Sequence, residues 1–321
     1  MTPPTVLVLG PQGDASLEPL ARAGDRAHFV LGSRPEDFTG DAARAQALFL
    51  STAGGPVFER VFAMAPRLRW VHVRSAGLDG VLFPALIEST TVVTNSRGVY
   101  SGSLAEFVLA AMLHFGKDLR RMVRSQESGL WDPFDVQELK GQTLGIVGYG
   151  DIGRSIADRA RGLHMRVLAM RRRAEPSDDP GVDEFLPADR IQDLMRRSDY
   201  VAVALPLTPE TRGMIGAEQI GAMKGSAVLV NVGRGATVDE AALIQALQAG
   251  RIRGAALDVF ETEPLPAGHA FYRLGNVLLS PHCSDHTPTW RGDGVGLFLD
   301  NLELFLTGEP LRNVVDKGRG Y

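Results

Sequence analysis

The chain contains 321 residues, of which 44% are hydrophobic and 22% are charged, and its formal net charge is −4. This length predicts two domains, and the acidic balance excludes a general nucleic-acid binder, which needs a basic face. No apolar stretch approaches the length that spans a bilayer, Met1 leads into a strand without signal-peptide features, and the single cysteine, Cys283, has no internal disulfide partner. We expect a cytoplasmic protein that binds neither nucleic acid nor a membrane.

Apolar runs alternate with amphipathic stretches along almost the whole chain, which predicts parallel sheets with helices on both faces. The first predicted strands are Thr5–Leu9, Ala27–Val30, Ala47–Leu50, Trp70–Val73 and Thr91–Val93. Helical spacing predicts one helix over Val57–Met64 and a longer one from about Ser103 to Gln126.

A glycine-rich turn lies between the apolar run Leu144–Val147 and a stretch with helical spacing, Ile152–Arg161. The turn consists of Gly148, Tyr149, Gly150, Asp151, Ile152 and Gly153. In a dinucleotide-binding turn the first glycine permits the tight turn, the second lets the backbone approach the pyrophosphate, and the third lets helix and strand pack closely. The pyrophosphate then lies at the helix N-terminus, where N–H groups and the helix dipole favour negative charge. A strand–turn–helix without a ligand is the alternative, but this context favours a dinucleotide site.

The next predicted strand, Met165–Met170, is followed by three arginines, Arg171, Arg172 and Arg173. An NAD site usually has an acidic side chain here, about 20 residues beyond the glycines, which accepts a hydrogen bond from the ribose 2′-OH. In this chain the first carboxylate is Glu175, past the strand end. Arginine cannot accept that bond but binds phosphate well, so the sequence predicts NADP(H) in preference to NAD(H). A solvated basic loop is the alternative.

Further strands are predicted at Tyr200–Leu205, Ala227–Val230, Gly254–Leu257 and Val277–Leu279, and further helices at Asp239–Gln248 and about Thr287–Leu306. Arg234, Glu263 and His282 each follow a separate one of these strands. Ligands bind beyond the carboxyl ends of the strands in open α/β sheets, so we expect the three side chains at one edge. Each has an ordinary explanation as a surface or loop residue, but together they predict a catalytic site.

These motifs resemble the D-2-hydroxyacid dehydrogenase family, which includes glyoxylate/hydroxypyruvate reductases and phosphoglycerate dehydrogenases. The resemblance rests on Leu144–Gly153, Leu205–Thr211, Asn231–Gly235, Gly254–Pro266 and Ser280–His282. It implies an α/β fold of two doubly wound parallel-sheet domains. A Rossmann dinucleotide-binding domain, residues 98–282, is inserted into a flavodoxin-like substrate domain, residues 1–97 and 283–321. It also implies an oxidoreductase that transfers a hydride between NADP(H) and a small anionic 2-keto or D-2-hydroxy acid, such as glyoxylate or hydroxypyruvate.

The resemblance also implies roles for individual residues. Arg234 binds the substrate carboxylate, His282 also contacts the substrate and acts as general acid, and Glu263 accepts from the other ring nitrogen and orients the imidazole. The remaining residues implied in cofactor binding are Leu205, Pro206, Thr211, Val232, Gly233, Asp258 and Ser284, with Asp258 accepting from the nicotinamide carboxamide. His282 and His286 are four residues apart, but with only Asp285 nearby we expect no metal site.

The loop after the strand at Trp70–Val73 resembles the family's glycine loop, where the amides of Ser75, Ala76 and Gly77 could bind the substrate carboxylate. An ordinary tight turn is the alternative. Arg74 and Arg97 either add positive charge that favours a doubly anionic substrate or are surface residues without that role.

Two other functions stay open: 3-phosphoglycerate dehydrogenase, and a non-catalytic protein that binds dinucleotides and recruits partners. We also expect a homodimer, in which Leu130–Phe134 reaches onto a neighbouring copy.

Overall fold

The structure, a computed structural model, describes residues 3–172 and 179–320. The chain divides into two compact units, which we call the terminal unit, Met1–Tyr100 with Thr287–Tyr321, and the central unit, Ser101–His286. The first unit therefore ends at residue 100 rather than at the predicted 97, and the second at 286 rather than 282. No helix within the described ranges is long and apolar enough to cross a membrane.

The strands, in chain order, are β1 (Thr5–Leu9), β2 (His28–Gly32), β3 (Ala45–Leu50), β4 (Trp70–Val73), β5 (Val92–Asn95), β6 (Thr143–Val147), β7 (Arg166–Met170), β8 (Glu184–Leu186), β9 (Tyr200–Val203), β10 (Val228–Asn231), β11 (Gly254–Leu257) and β12 (Val277–Leu279). The α-helices are α1 (Pro56–Met64), α2 (Pro84–Glu88), α3 (Ser101–Gly116), α4 (Leu119–Glu127), α5 (Asp151–Gly162), α6 (Ile191–Arg197), α7 (Ala217–Ala222), α8 (Glu240–Gln248) and α9 (Trp290–Thr307). Short 3-10 segments lie at Ala15–Arg26, Pro35–Phe38, Ala42–Arg44, Ala188–Arg190, Gly235–Thr237 and Ala270–Arg273.

The terminal unit contains a parallel sheet with the strand order β2-β1-β3-β4-β5. Its three central strands, β1, β3 and β4, are buried at nearly every position because both faces are covered. Leu7 belongs to a core with Phe58 of α1 on one face, whereas Val8 belongs to a core with Phe298 of α9 on the other. This is the predicted doubly wound architecture.

The central unit contains a second parallel sheet with the order β12-β11-β10-β9-β6-β7-β8. The chain runs outward from β6 through β7 to β8, then returns to β9 and runs outward the other way. The strand order therefore reverses between β6 and β9, and such a reversal is where open α/β sheets bind ligands. The fold class predicted from the sequence is confirmed for both units.

Two local predictions differ from the structure. The predicted helix from Ser103 to Gln126 is two helices, because Asp118 adopts a left-handed backbone (φ 48°) and caps α4 by accepting from the Arg121 amide. The short strand β8 was not predicted, since a run of three residues carries too little periodicity to detect.

A buried polar cluster lies inside the terminal unit, on β4 and β5. His72 is fully buried, its Nδ1 lying 2.7 Å from Thr94 Oγ1 and its Nε2 lying 3.3 Å from Ser96 Oγ. Trp70 Nε1 donates to the same Thr94 oxygen at 2.8 Å. Burial lowers the pKa of His72 from its ordinary value to about 3, so the ring is neutral in the folded protein.

We expect His72 to make the protein less stable in mild acid. The unfolded chain takes up a proton at this ring below pH 6.5, but the folded chain does so only near pH 3. The contribution of the neutral His72 ring to the free energy of unfolding is therefore fully present above pH 6.5, and it declines as the pH falls toward 3. In urea unfolding, the free energy of unfolding should fall between pH 7.5 and pH 5.0 by about 2 kcal/mol more in wild type than in His72→Asn.

The matched control is His28→Asn, which changes a histidine whose side chain is 57% exposed. It should reproduce the wild-type pH dependence. If the free energy of unfolding fell equally in wild type and in His72→Asn between pH 7.5 and pH 5.0, the prediction would be contradicted.

Candidate active site

The glycine turn after β6 combines two tightly packed glycines with an open one. Gly148 has φ +102°, and a Cβ there would lie 2.8 Å from the Ala204 carbonyl oxygen. A Cβ on Gly153 would lie 2.4 Å from the Gly148 oxygen, so that glycine permits close packing of turn and helix. Beside Gly150, by contrast, a Cβ would meet nothing described within 4 Å. The backbone is thus open at the N-terminus of α5, and the binding of a dinucleotide phosphate at this turn stays a prediction.

The end of β7 is the second boundary of this predicted site. The Arg171 guanidinium stacks 4.3 Å from the Phe185 ring centroid of β8, and Arg172 is exposed. Tyr149, the second residue of the glycine turn, donates its hydroxyl to Asp179 Oδ2 at 2.9 Å. Arg173, the third predicted arginine, lies outside the described residues.

The loops after β9 and β10 pack tightly beside the glycine turn. A Cβ on Gly233 would lie 2.6 Å from the Leu205 carbonyl oxygen, and the Val232 amide donates to Val203 at 3.0 Å. Thr211 Oγ1 donates to the Pro206 carbonyl at 2.7 Å, which closes the loop after β9. These predicted cofactor residues therefore lie near the switch point, while their contacts with a cofactor stay predictions.

Arg234 lies after β10, three residues beyond Asn231. Its backbone oxygen accepts from Thr237 Oγ1 at 2.6 Å and from Asn231 Nδ2 at 3.1 Å, which fixes the backbone of this residue. The guanidinium Nη1 donates to the Gly233 oxygen at 2.8 Å. A Cβ on Gly235 would lie 1.8 Å from the Phe260 carbonyl carbon, so only glycine lets the loops after β10 and β11 approach this closely.

His282 and Glu263 form a hydrogen-bonded pair. The His282 Nδ1 lies 2.7 Å from Glu263 Oε2, and the other oxygen, Oε1, accepts from the Phe260 amide at 2.8 Å. One carboxylate oxygen is thus held by the backbone while the other orients the ring. The His282 side chain is 45% exposed, and a role of its Nε2 atom in proton transfer stays a prediction.

Asp258 has a structural position that sequence reasoning missed. Its side chain is buried, and its carboxylate accepts from four donors of the loop after β12: Ser280 Oγ (2.5 Å), the amides of Cys283 and Ser284 (both 3.1 Å), and Ser284 Oγ (2.6 Å). Asp258 and Ser284 therefore bond to each other, and their predicted contacts with the cofactor stay untested. The sequence contained one indication of this network, because two possible serine donors, Ser280 and Ser284, lie on either side of His282.

The loop that Asp258 holds has a strained backbone at His282. This residue has φ 51°, in the left-handed region that non-glycine residues seldom adopt, and its amide donates to the Asp258 carbonyl oxygen at 2.9 Å. Such conformations cost about 1–3 kcal/mol and persist only where the surroundings impose them. The network around Asp258 supplies that constraint here.

The side chains of Asp285 and His286, which follow His282, lie close together. His286 Nε2 lies 3.7 Å from Asp285 Oδ1, and burial raises the pKa of Asp285 against the opposing charge of His286. No group of three or more metal-ligating side chains occurs among the residues that the structure describes.

The predicted substrate loop lies in the terminal unit and is described by itself. Ser75 Oγ donates to the Gly77 carbonyl at 2.7 Å, and the Ala76 carbonyl accepts from Asn95 Nδ2 at 2.6 Å. These contacts hold the loop, while its binding of a carboxylate stays a prediction. Arg74 pairs with Asp14 at 3.2 Å and its side chain is 14% exposed, while an effect of Arg74 and Arg97 on substrate choice stays a prediction.

Comparison with known proteins identifies similar sequences and a similar solved structure. Residues 109–284 match the family described as D-isomer specific 2-hydroxyacid dehydrogenase, NAD binding domain. The chain is 37% identical over 270 residues to a glyoxylate reductase of Korarchaeum cryptofilum, which covers 82% of this chain and 80% of that protein. It is 32% identical over 324 residues to a D-3-phosphoglycerate dehydrogenase of Methanocaldococcus jannaschii, covering 97% of this chain but 59% of that protein.

A solved structure shows the same fold. The NADPH-dependent glyoxylate/hydroxypyruvate reductase of Sinorhizobium meliloti, in complex with NADP and sulfate, superposes with a TM-score of 0.85. The two chains are 26% identical, and the match covers 99% of this chain and 100% of that one.

Proposed function

Because the chain belongs to the D-isomer specific 2-hydroxyacid dehydrogenase family, we propose that it reduces a small 2-keto acid, such as glyoxylate or hydroxypyruvate, with NADPH as the preferred reductant. Members of this family are NAD(P)-dependent oxidoreductases, and the coarser activity follows from membership. The single observation that carries the proposed carbonyl reduction is the 2.7 Å contact between His282 Nδ1 and Glu263 Oε2. It supports a general acid that is already oriented at the edge of the dinucleotide-binding sheet. The cytoplasmic location of the protein stays a prediction from the sequence.

The proposed chemistry assigns one task to each residue. The Arg234 guanidinium binds the substrate carboxylate, since it is always charged and offers several donors in one plane. His282 gives a proton from Nε2 to the carbonyl oxygen, while Glu263 keeps the ring oriented through Nδ1. A nicotinamide dinucleotide held at the glycine turn would supply the hydride, and the proton from His282 would complete the conversion of the ketone into the alcohol.

The preference for NADPH rests on the residues after β7. Arg171 and Arg172 stand where an NAD site has its acidic side chain, and neither can accept from a ribose 2′-OH. The Sinorhizobium meliloti reductase, whose fold this chain shares, is named as NADPH-dependent, which agrees with the proposal.

3-Phosphoglycerate dehydrogenase is the second candidate, because one relative with that name aligns with 97% of this chain. Its substrate carries a phosphate as well as a carboxylate and therefore needs additional positive charge. The ion pair of Arg74 with Asp14 compensates one of the two arginines predicted to supply it. Activity on 3-phosphohydroxypyruvate above that on glyoxylate and hydroxypyruvate would favour this candidate.

A homodimer is proposed from the apolar surface on and after α4. Trp131 is 96% exposed and Leu130 is 64% exposed, and Val123 and Met122 of α4 are also exposed. The segment that carries Trp131 is held in a defined position, because Arg121 pairs with Asp132 at 2.6 Å. Ordered, exposed aromatic and aliphatic side chains mark protein interfaces, and the continuity of this surface supports a second copy as the occupant.

The first prediction concerns the proposed general acid. His282→Gln should lower kcat for hydroxypyruvate reduction by about 10²–10⁴, because the group that protonates the carbonyl oxygen is lost. NADPH binding, followed by fluorescence, should change little. His28→Gln, an exposed histidine in the terminal unit, is the control and should retain wild-type turnover. Loss of NADPH binding together with turnover would mean that His282 has a structural role instead.

The second prediction concerns the cofactor. Wild type should have a lower KM for NADPH than for NADH with the same 2-keto acid. Arg172→Ser should raise the KM for NADPH by about tenfold or more, because a charged hydrogen bond to phosphate contributes about 1.5–3 kcal/mol. The KM for NADH should change much less. Arg196→Ser, an exposed arginine on α6, serves as the control. A lower KM for NADH in wild type would contradict the proposed preference.

The third prediction concerns the dimer. Light scattering should give the mass of two chains, about twice 34.6 kDa, for wild type. Trp131→Ser should weaken association at low protein concentration, because it removes the most exposed aromatic side chain of the proposed interface. Tyr272→Ser, another exposed aromatic, tests whether the interface extends beyond this segment. A wild-type mass of one chain would exclude the dimer.

A further inference from the structure

Asp179 places a carboxylate beside the glycine turn, in a position that the proposed NADPH site does not need. Its Oδ2 accepts from the Tyr149 hydroxyl at 2.9 Å, and its Oδ1 accepts from the Gly181 amide at 3.0 Å. Arg154 Nε of helix α5 lies 3.6 Å from Oδ2. The Asp179 side chain is 15% exposed, so this charge is held in a defined place.

The Asp179 carboxylate is ionised at neutral pH. Burial acts to raise its pKa, but the hydrogen bonds from Gly181 and Tyr149 and the charges of Arg154 and Arg171 outweigh burial and lower the pKa. Burial and the bond to Asp179 raise the pKa of Tyr149, so the phenol keeps its proton and acts as the donor.

The surrounding side chains connect Asp179 to the predicted phosphate-binding arginines. The Tyr149 ring meets Phe185 edge-on, with centroids 5.1 Å apart at 80°, and Arg171 stacks on the same Phe185 ring. The Arg154 guanidinium lies 5.9 Å from the Tyr149 centroid. We call these five residues the Tyr149 cluster: Tyr149, Arg154, Arg171, Asp179 and Phe185.

The Tyr149 cluster lies between the glycine turn and the end of β7. In a Rossmann site, the ribose next to the adenine lies there, with its 2′ substituent toward the end of the second strand. Any charge in the cluster therefore acts on a 2′-phosphate but has much less effect on a 2′-hydroxyl.

We propose that Asp179 is a specificity-determining residue that limits the preference for NADPH over NADH. Its carboxylate neutralises Arg154 and reduces the positive potential that Arg171 presents to a 2′-phosphate. The inference rests on the proposed function, because it requires the dinucleotide to bind at this turn. It predicts that NADH remains a usable cofactor despite the basic end of β7.

The test is Asp179→Asn, which removes the charge and keeps a side chain of the same shape. Binding of NADPH and NADH is measured by fluorescence titration, without substrate, at low ionic strength. The Kd for NADPH should fall by about three- to thirtyfold, since one charge acts over several ångströms near the protein surface. The Kd for NADH should change by less than about twofold, because a 2′-hydroxyl carries no charge.

Three further variants separate the causes. Tyr149→Phe removes the hydrogen bond but leaves the carboxylate, so it should not tighten NADPH binding selectively. Glu303→Gln, which changes an arginine-paired carboxylate on α9, should leave both Kd values unchanged if overall net charge is not the cause. In an Arg154→Gln background, the effect of Asp179→Asn should shrink, because the arginine that Asp179 neutralises is absent.

Several results would overturn the inference. If Asp179→Asn changed the Kd values for NADPH and NADH by the same factor, or weakened NADPH binding, the carboxylate would not limit the preference for NADPH over NADH. Weaker NADH binding alone would mean that Asp179 accepts from the ribose hydroxyl instead. If wild type binds NADH more tightly than NADPH, the proposed preference fails, yet the change in the ratio of the two Kd values still tests Asp179.

Discussion

The loop at residues 280–284 keeps its shape because Asp258, at the end of the neighbouring strand, places a buried carboxylate at its centre. An isolated buried carboxylate is strongly unfavourable, whereas each hydrogen bond to a charged group contributes about 1.5–3 kcal/mol. The donors come from both sides of His282, and the amide of that residue bonds to the Asp258 backbone. The left-handed backbone of His282, and hence the direction of its ring, follows from this carboxylate.

Close packing of the adjacent loops provides the second constraint. Gly233 approaches the loop after β9, and Gly235 approaches the loop after β11 so closely that a Cβ would overlap the backbone. Arg234 lies between these two glycines. Its backbone is therefore fixed on both sides, while the long side chain can still turn toward a ligand. Because β10, β11 and β12 are neighbouring parallel strands, the loops that carry Arg234, Glu263 and His282 all leave the same edge of the sheet.

Much of this arrangement was predictable from the sequence, because it depends on local patterns. Apolar runs located most strands to within a few residues, and the glycine spacing identified the turn at Gly148–Gly153. The carboxyl ends of strands indicated where Glu263 and His282 would come together. The boundary at Asp118 was missed because one residue with a left-handed backbone interrupts a pattern that is helical on both sides.

Other features depend on contacts between distant residues, which no local pattern encodes. The partners of Arg74 and Asp258 come from segments 60 and more than 20 residues away. Asp179 was overlooked for the same reason, since its distance along the chain from Tyr149 gives no sign of their hydrogen bond. The sequence shows the arginines after β7, but it does not show that the Asp179 carboxylate lies within the electrostatic reach of Arg171.

Asp258 and Asp179 show how the same chemical group can serve opposite ends of one binding edge. Asp258 is buried and its carboxylate accepts from neutral donors of a single loop, so its main effect is to fix the geometry of that loop. Asp179 is partly exposed and faces two arginines, so its charge reaches into the space where an anion would bind. Geometry is therefore rigid where the proposed proton transfer requires alignment. At the proposed adenosine end, by contrast, selectivity is a balance of charges that a single side chain can shift.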